Sequence, residues 1–178
     1  MFVAVFSIAS DSLLAEFPKD TLTHEFLDAM RILGLPSGNA SVRQYPVRRL
    51  AEHRQNILEE LVALRKEIAP DVVFLPCEQD IHQDHQVFHA EGVRAFKNAS
   101  LLGYELPWNT LNFAPQLIVG LEDRHMQRKW DMLHAYNSQI VLGRQYFSKD
   151  LVYGLARVRG VQANKEFGEG FEVIRVNI

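Results

Sequence analysis

The sequence predicts an α/β fold, a doubly wound (Rossmann-like) and mostly parallel sheet, from two observations. Short apolar runs alternate along the chain with longer segments whose apolar residues recur at helical spacing. Turn-forming Gly, Pro, Asp and Ser residues separate these segments. Because parallel strands need a crossover connection, such alternation indicates βαβ units. A length of 178 residues fits one domain, spanning residues 1–178.

The individual elements follow from apolar spacing and from helix-stopping residues. Leu22, Phe26 and Met30 share one face of a predicted helix that Gly34 and Pro36 end. The same reasoning predicts helices at 21–33, 50–68, 86–98, 122–136 and 149–161. Predicted strands, rich in β-branched and aromatic residues, lie at 2–8, 71–76, 101–106, 117–121 and 171–176. Residues 44–49 fit either a short strand or a loop.

The composition is that of a soluble globular protein, with 47% hydrophobic and 23% charged residues. A net charge of −3 gives no electrostatic reason to expect a polyanionic partner, which argues against nucleic-acid binding. A single cysteine, Cys77, excludes an internal disulfide and suits a reducing compartment, so we expect a cytoplasmic protein. The first residues lack the features of a signal peptide, and no apolar run reaches the length of a membrane span.

The segment from Asp71 to His85 is the most informative part of the sequence. It leads an apolar strand, closed by Pro76, directly into a loop that ends in His82, Asp84 and His85. In open α/β sheets, ligands bind outside the carboxyl ends of the strands. Asp84 is also placed to cap a following helix, with His85 at the helix start. We therefore predict an interior strand followed by a metal or catalytic site.

A histidine that ligates zinc needs an acceptor on its other ring nitrogen, and Asp80 and Asp84 are candidates for that role. His89 shares a predicted helix face with His85, and we interpret it as structural. The alternative for the whole cluster is a solvated polar loop with a helix cap. The coincidence of strand end, loop and paired His and Asp residues favours a functional site. The remaining histidines lack such neighbours and are interpreted as surface or structural residues: His24, His53, His125 and His134.

Two arginines and the cysteine are further candidates. Arg48 and Arg49 follow a proline in a loop that could open at the same edge of the sheet, where a guanidinium binds a phosphate or a sugar hydroxyl. The alternative is a solvated turn, and the sequence alone does not separate the two.

Cys77 has no adjacent base, so a half-buried structural role is preferred to a nucleophilic one.

Pro76 and the block Asp80-Ile-His-Gln-Asp-His85 resemble the second motif of the LmbE/PIG-L family of zinc-dependent de-N-acetylases. Further likeness is carried by FVAVFS near the start, EFLDAMRILGL, PDVVFLP, AYNSQ and the closing LARVRGVQANKEFGEGFEVIR, so it extends over nearly all of the sequence. The resemblance implies that His85 ligates zinc and that His82 stabilises the oxyanion of the tetrahedral intermediate. It further implies that Asp84 acts as the partner of His82.

The family's first motif, Ala-His-Pro-Asp-Asp, has no counterpart in the sequence. In the family this motif ends the first strand and supplies two zinc ligands and the general base, and a catalytic zinc ordinarily takes three protein ligands. The start at Met1 fits a polypeptide that begins after that strand. Because the missing strand is central in a doubly wound sheet, we expect the edges of its neighbours to be unpaired.

The leading hypothesis from the resemblance is a zinc-dependent hydrolase that removes the acetyl group from an N-acetylated amino sugar, an N-acetylglucosamine conjugate. Zinc would lower the pKa of a bound water toward about 7. We assign substrate binding to Arg48, Arg49 and Asp80. The alternatives are a catalytically silent remnant with a sugar-binding or packing role, and a phosphohydrolase with a His/Asp metal cluster. The expected partner is the small sugar substrate, and a homo-oligomer is compatible with the sequence.

Overall fold

The computed structural model describes residues 1–177, in which strands and helices alternate for most of the length. The strands are β1 Val3–Val5, β2 Ala40–Val42, β3 Val72–Pro76, β4 Ser100–Tyr104, β5 Leu117–Leu121 and β6 Phe167–Arg175. The helices are α1 Thr21–Leu33, α2 Arg54–Ile68, α3 Gln83–Ala95, α4 Asp123–His134, α5 Asn137–Val141 and α6 Lys149–Gln162. The predicted α/β class is confirmed. Among the described residues, no helix has both the length and the apolar character needed to cross a membrane.

The strands form two sheets. One contains β1 and β2, which pair in parallel, and the other has the strand order β3-β4-β6-β5. β3 and β4 pair in parallel, while β6 runs antiparallel to β4. The β1–β2 and β3–β4 pairs agree with the predicted parallel pairing, whereas the β4–β6 pair does not. β6 also begins at Phe167, four residues before the predicted start of that strand.

The protein folds into two compact units, each built from two segments of the sequence. The first comprises Met1–Val47 and Gly120–Glu169, and its α1 face buries Phe26, Ala29 and Met30 against β1 and β2. The second comprises Arg48–Val119 and 170–177, and contains α2, α3, β3 and β4. The organisation as one domain over residues 1–178 stays a prediction.

β3 is an edge strand, which corrects the interior position predicted for it. Leu75 and Pro76 are buried, whereas 46% of Val72 and 55% of Phe74 is exposed. The cause is that β3 pairs with β4 on one side only, and no other described strand pairs with it. The free edge of β3 agrees with the predicted unpaired strand edge.

Helix α3 packs closely on β3, and this contact positions the start of the helix. A Cβ atom added at Gly92 would lie only 2.6 Å from Cδ2 of Leu75, so a larger residue would require the Leu75 side chain to move. The loop that connects Pro76 to Gln83 therefore runs between two fixed points.

Candidate functional site

The predicted site residues lie in the loop after β3 and at the start of α3. The helix begins at Gln83, three residues before the predicted start. Its N-cap is His82, whose Nδ1 accepts a hydrogen bond from the backbone N–H of Asp84 at 3.2 Å. This corrects the prediction that Asp84 caps the helix. An imidazole nitrogen takes the place of the usual side-chain oxygen here.

The loop is anchored at both ends by residues far away in the sequence. The N–H of Glu78 donates to Oε2 of Glu172 on β6 at 2.9 Å. The N–H of Ile81 donates to the backbone carbonyl oxygen of Asn109 at 3.1 Å. Sequence reasoning missed both anchors because nothing local marks a partner that lies 28 or more positions away. With its ends fixed, the loop holds its polar side chains in a defined arrangement.

Asp80 orients His85. The Asp80 residue is only 1% exposed, and its Oδ1 accepts from the N–H of His82 at 2.8 Å while Oδ2 lies 2.8 Å from Nδ1 of His85. A carboxylate can only accept, so in the neutral ring Nδ1 of His85 carries the proton and Nε2 keeps its lone pair. A histidine held in this way has the orientation typical of metal ligands. Both Asp80 oxygens are thus occupied inside the protein, which fits a positioning role better than the predicted contact with substrate.

His82 lies against His85, with ring centroids 4.5 Å apart and planes inclined by 30°. Burial lowers the pKa of His82, and the nearby His85 and Arg48 lower it further, against the opposing charges of Asp84 and Asp80. Because Nδ1 accepts from the Asp84 amide, the neutral ring carries its proton on Nε2. His82 can therefore donate a hydrogen bond through Nε2.

The buried Asp84 holds a neighbouring loop in place. Its Oδ2 accepts from the N–H of Arg48 at 2.6 Å, and its Oδ1 accepts from the N–H of Leu50 at 3.2 Å. Its contact with His82 runs through its backbone N–H and not through the carboxylate that the resemblance pairs with His82. The catalytic role of Asp84 stays a prediction, and the structure gives its carboxylate a loop-anchoring role.

The two candidate arginines have different surroundings. The backbone carbonyl oxygen of Arg48 accepts from Nε2 of Gln83 at 3.2 Å, so both backbone polar groups of Arg48 bond to the start of α3. The guanidinium of Arg49 instead forms two hydrogen bonds with the carboxylate of Glu52, at 2.8 and 2.7 Å. The structure therefore places the Arg48 backbone at the start of α3, next to His82, whereas the Arg49 side chain pairs with Glu52, three residues later in the sequence.

Two further residues have structural surroundings. Nδ1 of His89 donates to the backbone carbonyl oxygen of Pro76 at 2.9 Å, which agrees with our structural interpretation of this histidine. Cys77 is buried, its Sγ lies 3.7 Å from Oγ1 of Thr110, and burial raises the pKa of its thiol. A raised pKa disfavours the thiolate, so Cys77 is unsuited to act as a nucleophile.

The residues present do not make a complete metal site. In the part of the sequence that the structure describes, no three His, Cys, Asp or Glu side chains are arranged to hold a metal ion. A catalytic zinc takes three protein ligands and keeps a further position open. His85 has the geometry of one such ligand, so the described residues fit one position of a zinc site and not the whole.

Comparison with known proteins extends this result. Residues 14–96 match the family model described as PIG-L: GlcNAc-PI de-N-acetylase, whereas no curated protein matches the sequence. The protein is similar in structure to the conserved protein TT1542 from Thermus thermophilus (TM-score 0.76, 23% identity), over 99% of this protein and 81% of that one.

Two other solved structures are similar. N,N'-diacetylchitobiose deacetylase from Pyrococcus horikoshii has a TM-score of 0.70 at 18% identity, over 97% of this protein and 71% of that one. The 4-carboxy-2-hydroxymuconate hydratase GalB from Pseudomonas putida KT2440 has a TM-score of 0.71 at 18% identity, over 99% and 84%. At these identities the structural likeness establishes the fold. The segment 14–96, which matches the PIG-L family model, contains the whole Asp80 to His85 motif.

Proposed function

We propose that this protein supplies part of the active site of a zinc-dependent hydrolase that removes the acetyl group from an N-acetylated amino sugar, an N-acetylglucosamine conjugate. The observation that carries the proposal is the Asp80–His85 hydrogen bond of 2.8 Å, which lies within the family-matched segment. A buried carboxylate that fixes the imidazole tautomer is the usual support of a metal-binding histidine.

His82 complements this ligand. Its neutral ring can present Nε2–H to a carbonyl oxygen that gains negative charge, which is the role that the resemblance implies. Such a donor acts mainly in the transition state, because the oxygen becomes a strong acceptor only as its charge develops. His85 and His82 therefore have separate functions in the proposal, metal binding and oxyanion stabilisation.

The remaining metal ligands and the general base must come from another segment, which we propose to be a strand ending in Ala-His-Pro-Asp-Asp. The free edge of β3 supports this. Asp71 and Cys77 bond through their backbone to Ser100 and Tyr104 at the β4 side. Because successive residues of a strand direct their backbone polar groups to opposite edges, those of Val72 and Phe74 point to the other edge, where a strand could pair.

The fold itself does not select deacetylation, because the similar structures include a deacetylase and a hydratase. The match of residues 14–96 to a de-N-acetylase family favours deacetylation. The alternative of a catalytically silent protein rests on the single metal-ligand geometry, and it is an outcome of the experiment that follows.

The test is acetate release from an N-acetylglucosaminide by purified residues 1–178 and by the same protein extended with the proposed strand. We expect residues 1–178 alone to be nearly inactive and to lose zinc on dialysis, and the extended protein to be active with zinc. In the extended protein, His85→Ala should remove the zinc. His82→Ala should keep the zinc but lower turnover about a hundredfold or more.

Equal zinc-dependent turnover with and without the added strand would contradict the proposal that ligands are missing. Stoichiometric zinc in the His85→Ala variant would contradict the ligand assignment. An inactive extended protein that retains zinc would favour the silent alternative.

A further inference from the structure

We propose that helix α6 is a dimerisation surface, on which α6 of a second copy of this protein packs in antiparallel orientation around a two-fold axis near Gly154. The whole helix lies in the first compact unit, and the inference does not depend on the proposed function. It is carried by an exposed apolar face, by a glycine that the single molecule does not need, and by two opposite charges along one border of that face.

Helix α6 is apolar on two opposite faces. One face packs inward, where Ala156 is buried with Met126 and Phe167. On the opposite side, which we call the outer face, apolar residues recur at helical spacing: Leu151, Gly154, Leu155, Val158 and Val161. A surface helix ordinarily has one apolar and one polar face. The outer face of α6 therefore lacks the polar residues of a face that is directed to water.

The outer face is exposed, and its spacing fits a second helix. The exposed fraction is 37% for Leu151, 54% for Val158 and 76% for Val161. Single exposed apolar residues are common on soluble proteins, whereas a contiguous set is typical of an interaction site. Together with Gly154, these residues recur at i, i+3, i+7 and i+10, which is the seam along which two helices pack.

No contact within the protein explains Gly154, which lies in the middle of the outer face. A Cβ atom added there would meet no other atom within 4 Å, whereas one added at Gly160 would lie 2.7 Å from the backbone carbonyl oxygen of Glu166. Glycine weakens a helix interior relative to alanine, because it loses more backbone freedom on folding. At the seam of a dimer, however, a glycine lets two helix backbones approach closely.

The charges along one border make the outer face complementary to itself. Asp150 and Arg157 lie seven residues apart on that border, about 10 Å along the helix, with Gly154 near their midpoint. A two-fold axis at this midpoint places Asp150 of each copy opposite Arg157 of the other. In a parallel pair, the same border would instead meet the uncharged Leu155 and Gln162, so the charges favour the antiparallel arrangement.

Both charged residues are exposed and able to form these pairs. Among residues 1–177, no cationic side chain forms an ion pair with Asp150. Nη2 of Arg157 donates to Oε1 of Glu166 at 3.1 Å, and the other guanidinium nitrogens of Arg157 have N–H groups left for a carboxylate of the second copy. An ion pair as exposed as that with Glu166 contributes little, so sharing Arg157 costs little.

The test is sedimentation equilibrium of purified residues 1–178 over a wide range of protein concentration. We expect a reversible monomer–dimer equilibrium with a Kd on the order of 10 μM, because a single helix pair is smaller than the interface of a permanent dimer. Val158→Glu should weaken dimerisation tenfold or more, since it places a charge in the seam. Val176→Glu, the matched control at a valine 57% exposed outside α6, should not weaken it.

Exchange of the two charges tests the orientation. Asp150→Lys and Arg157→Glu should each weaken the dimer about threefold or more, because each places like charges opposite one another. The double variant should restore the wild-type Kd, since opposite charges meet again. Non-specific apolar association would give no such restoration.

A cysteine at the proposed axis tests the position of the contact. Gly154→Cys should form a disulfide-linked dimer on mild oxidation, because two residues beside a two-fold axis come within the reach of a disulfide. Val176→Cys should not, and the native Cys77 is buried. The proposal is overturned if the protein stays monomeric throughout, if the double charge variant dimerises no better than the single ones, or if dimerisation persists unchanged in Val158→Glu.

Discussion

Buried acidic groups lie near both ends of helix α3, and the two sets are paired in different ways. In its C-terminal half, the side chain of Glu91 is fully buried and accepts from Nε of Arg54 at 2.7 Å and from Nη1 of Arg94 at 2.5 Å. At its N-terminal end, Asp80 and Asp84 bond to an imidazole and to backbone N–H groups. Among the described residues, neither of these two aspartates forms an ion pair with an arginine or a lysine.

The difference separates a structural arrangement from a candidate site. Glu91 is neutralised by two cations, so its environment has no remaining capacity for a ligand. Asp80 and Asp84 position other groups, namely the His85 ring and the Arg48 loop, and leave those groups able to bind. Perturbed or incompletely paired polar groups in one place are the usual mark of a functional region.

The largest effect we expect comes from the structural end of the helix. Replacing Arg54 and Arg94 together by Ala should destabilise the protein by about 3 to 5 kcal/mol, because Glu91 would remain buried without a cation. Glu91→Met, which removes the charge and keeps the volume, should cost much less. The free energy of unfolding from urea denaturation measures both variants. Equal losses would show that the cations contribute through packing and not through charge compensation.

The second expected effect concerns Asp84. Asp84→Ala removes two hydrogen bonds to a carboxylate and should destabilise the protein by about 2 kcal/mol. It should also release the loop around Arg48, so the Arg48 and Leu50 amides should exchange with solvent faster, as hydrogen exchange measures.

Asp123→Ala is the control for this variant. Asp123 also lies in the first turn of a helix, α4, but is exposed, so its removal should change stability by less than about 0.5 kcal/mol. If Asp84→Ala were no more destabilising than Asp123→Ala, the carboxylate would not hold the Arg48 loop.

Local patterns in the sequence predicted much of the fold. The spacing of Leu22, Phe26 and Met30 predicted α1 with its observed bounds, and the apolar run at 117–121 predicted β5. The edge position of β3 and the antiparallel direction of β6 were not predicted, because strand pairing depends on distant segments. An apolar composition therefore does not by itself distinguish an interior strand from an edge strand.

For the candidate site, the sequence predicted which residues come together but not how they are hydrogen-bonded. The order of strand, loop and helix brought His82, Asp84 and His85 together as expected. The allocation of hydrogen bonds was not predictable, because Asp84 bonds to a loop 34 and 36 positions earlier in the sequence. For Glu91, the spacing to Arg94 three residues later was a visible signal of an ion pair, while Arg54 gave none.

The third expected effect concerns Asp80, and it tests whether the N-terminal end of α3 is organised for metal binding. In residues 1–178, Asp80→Asn should weaken the preference of His85 for the tautomer with the proton on Nδ1, because an amide can turn either its oxygen or its NH₂ toward the ring. Nitrogen chemical shifts of the histidine rings report this directly. In the extended protein the same change should lower zinc affinity about ten- to a hundredfold, as is typical when the support of a metal ligand is lost.

His89 provides the control within the same helix, since its Nδ1 donates to the backbone carbonyl oxygen of Pro76 and does not depend on Asp80. Its tautomer should be unchanged in Asp80→Asn. A shift in both histidines would indicate a general loosening of α3. An unchanged His85 together with unchanged zinc affinity would mean that Asp80 only anchors the loop through the N–H of His82. Only a selective change at His85, accompanied by weaker zinc binding, supports the carboxylate as the group that turns this imidazole into a ligand.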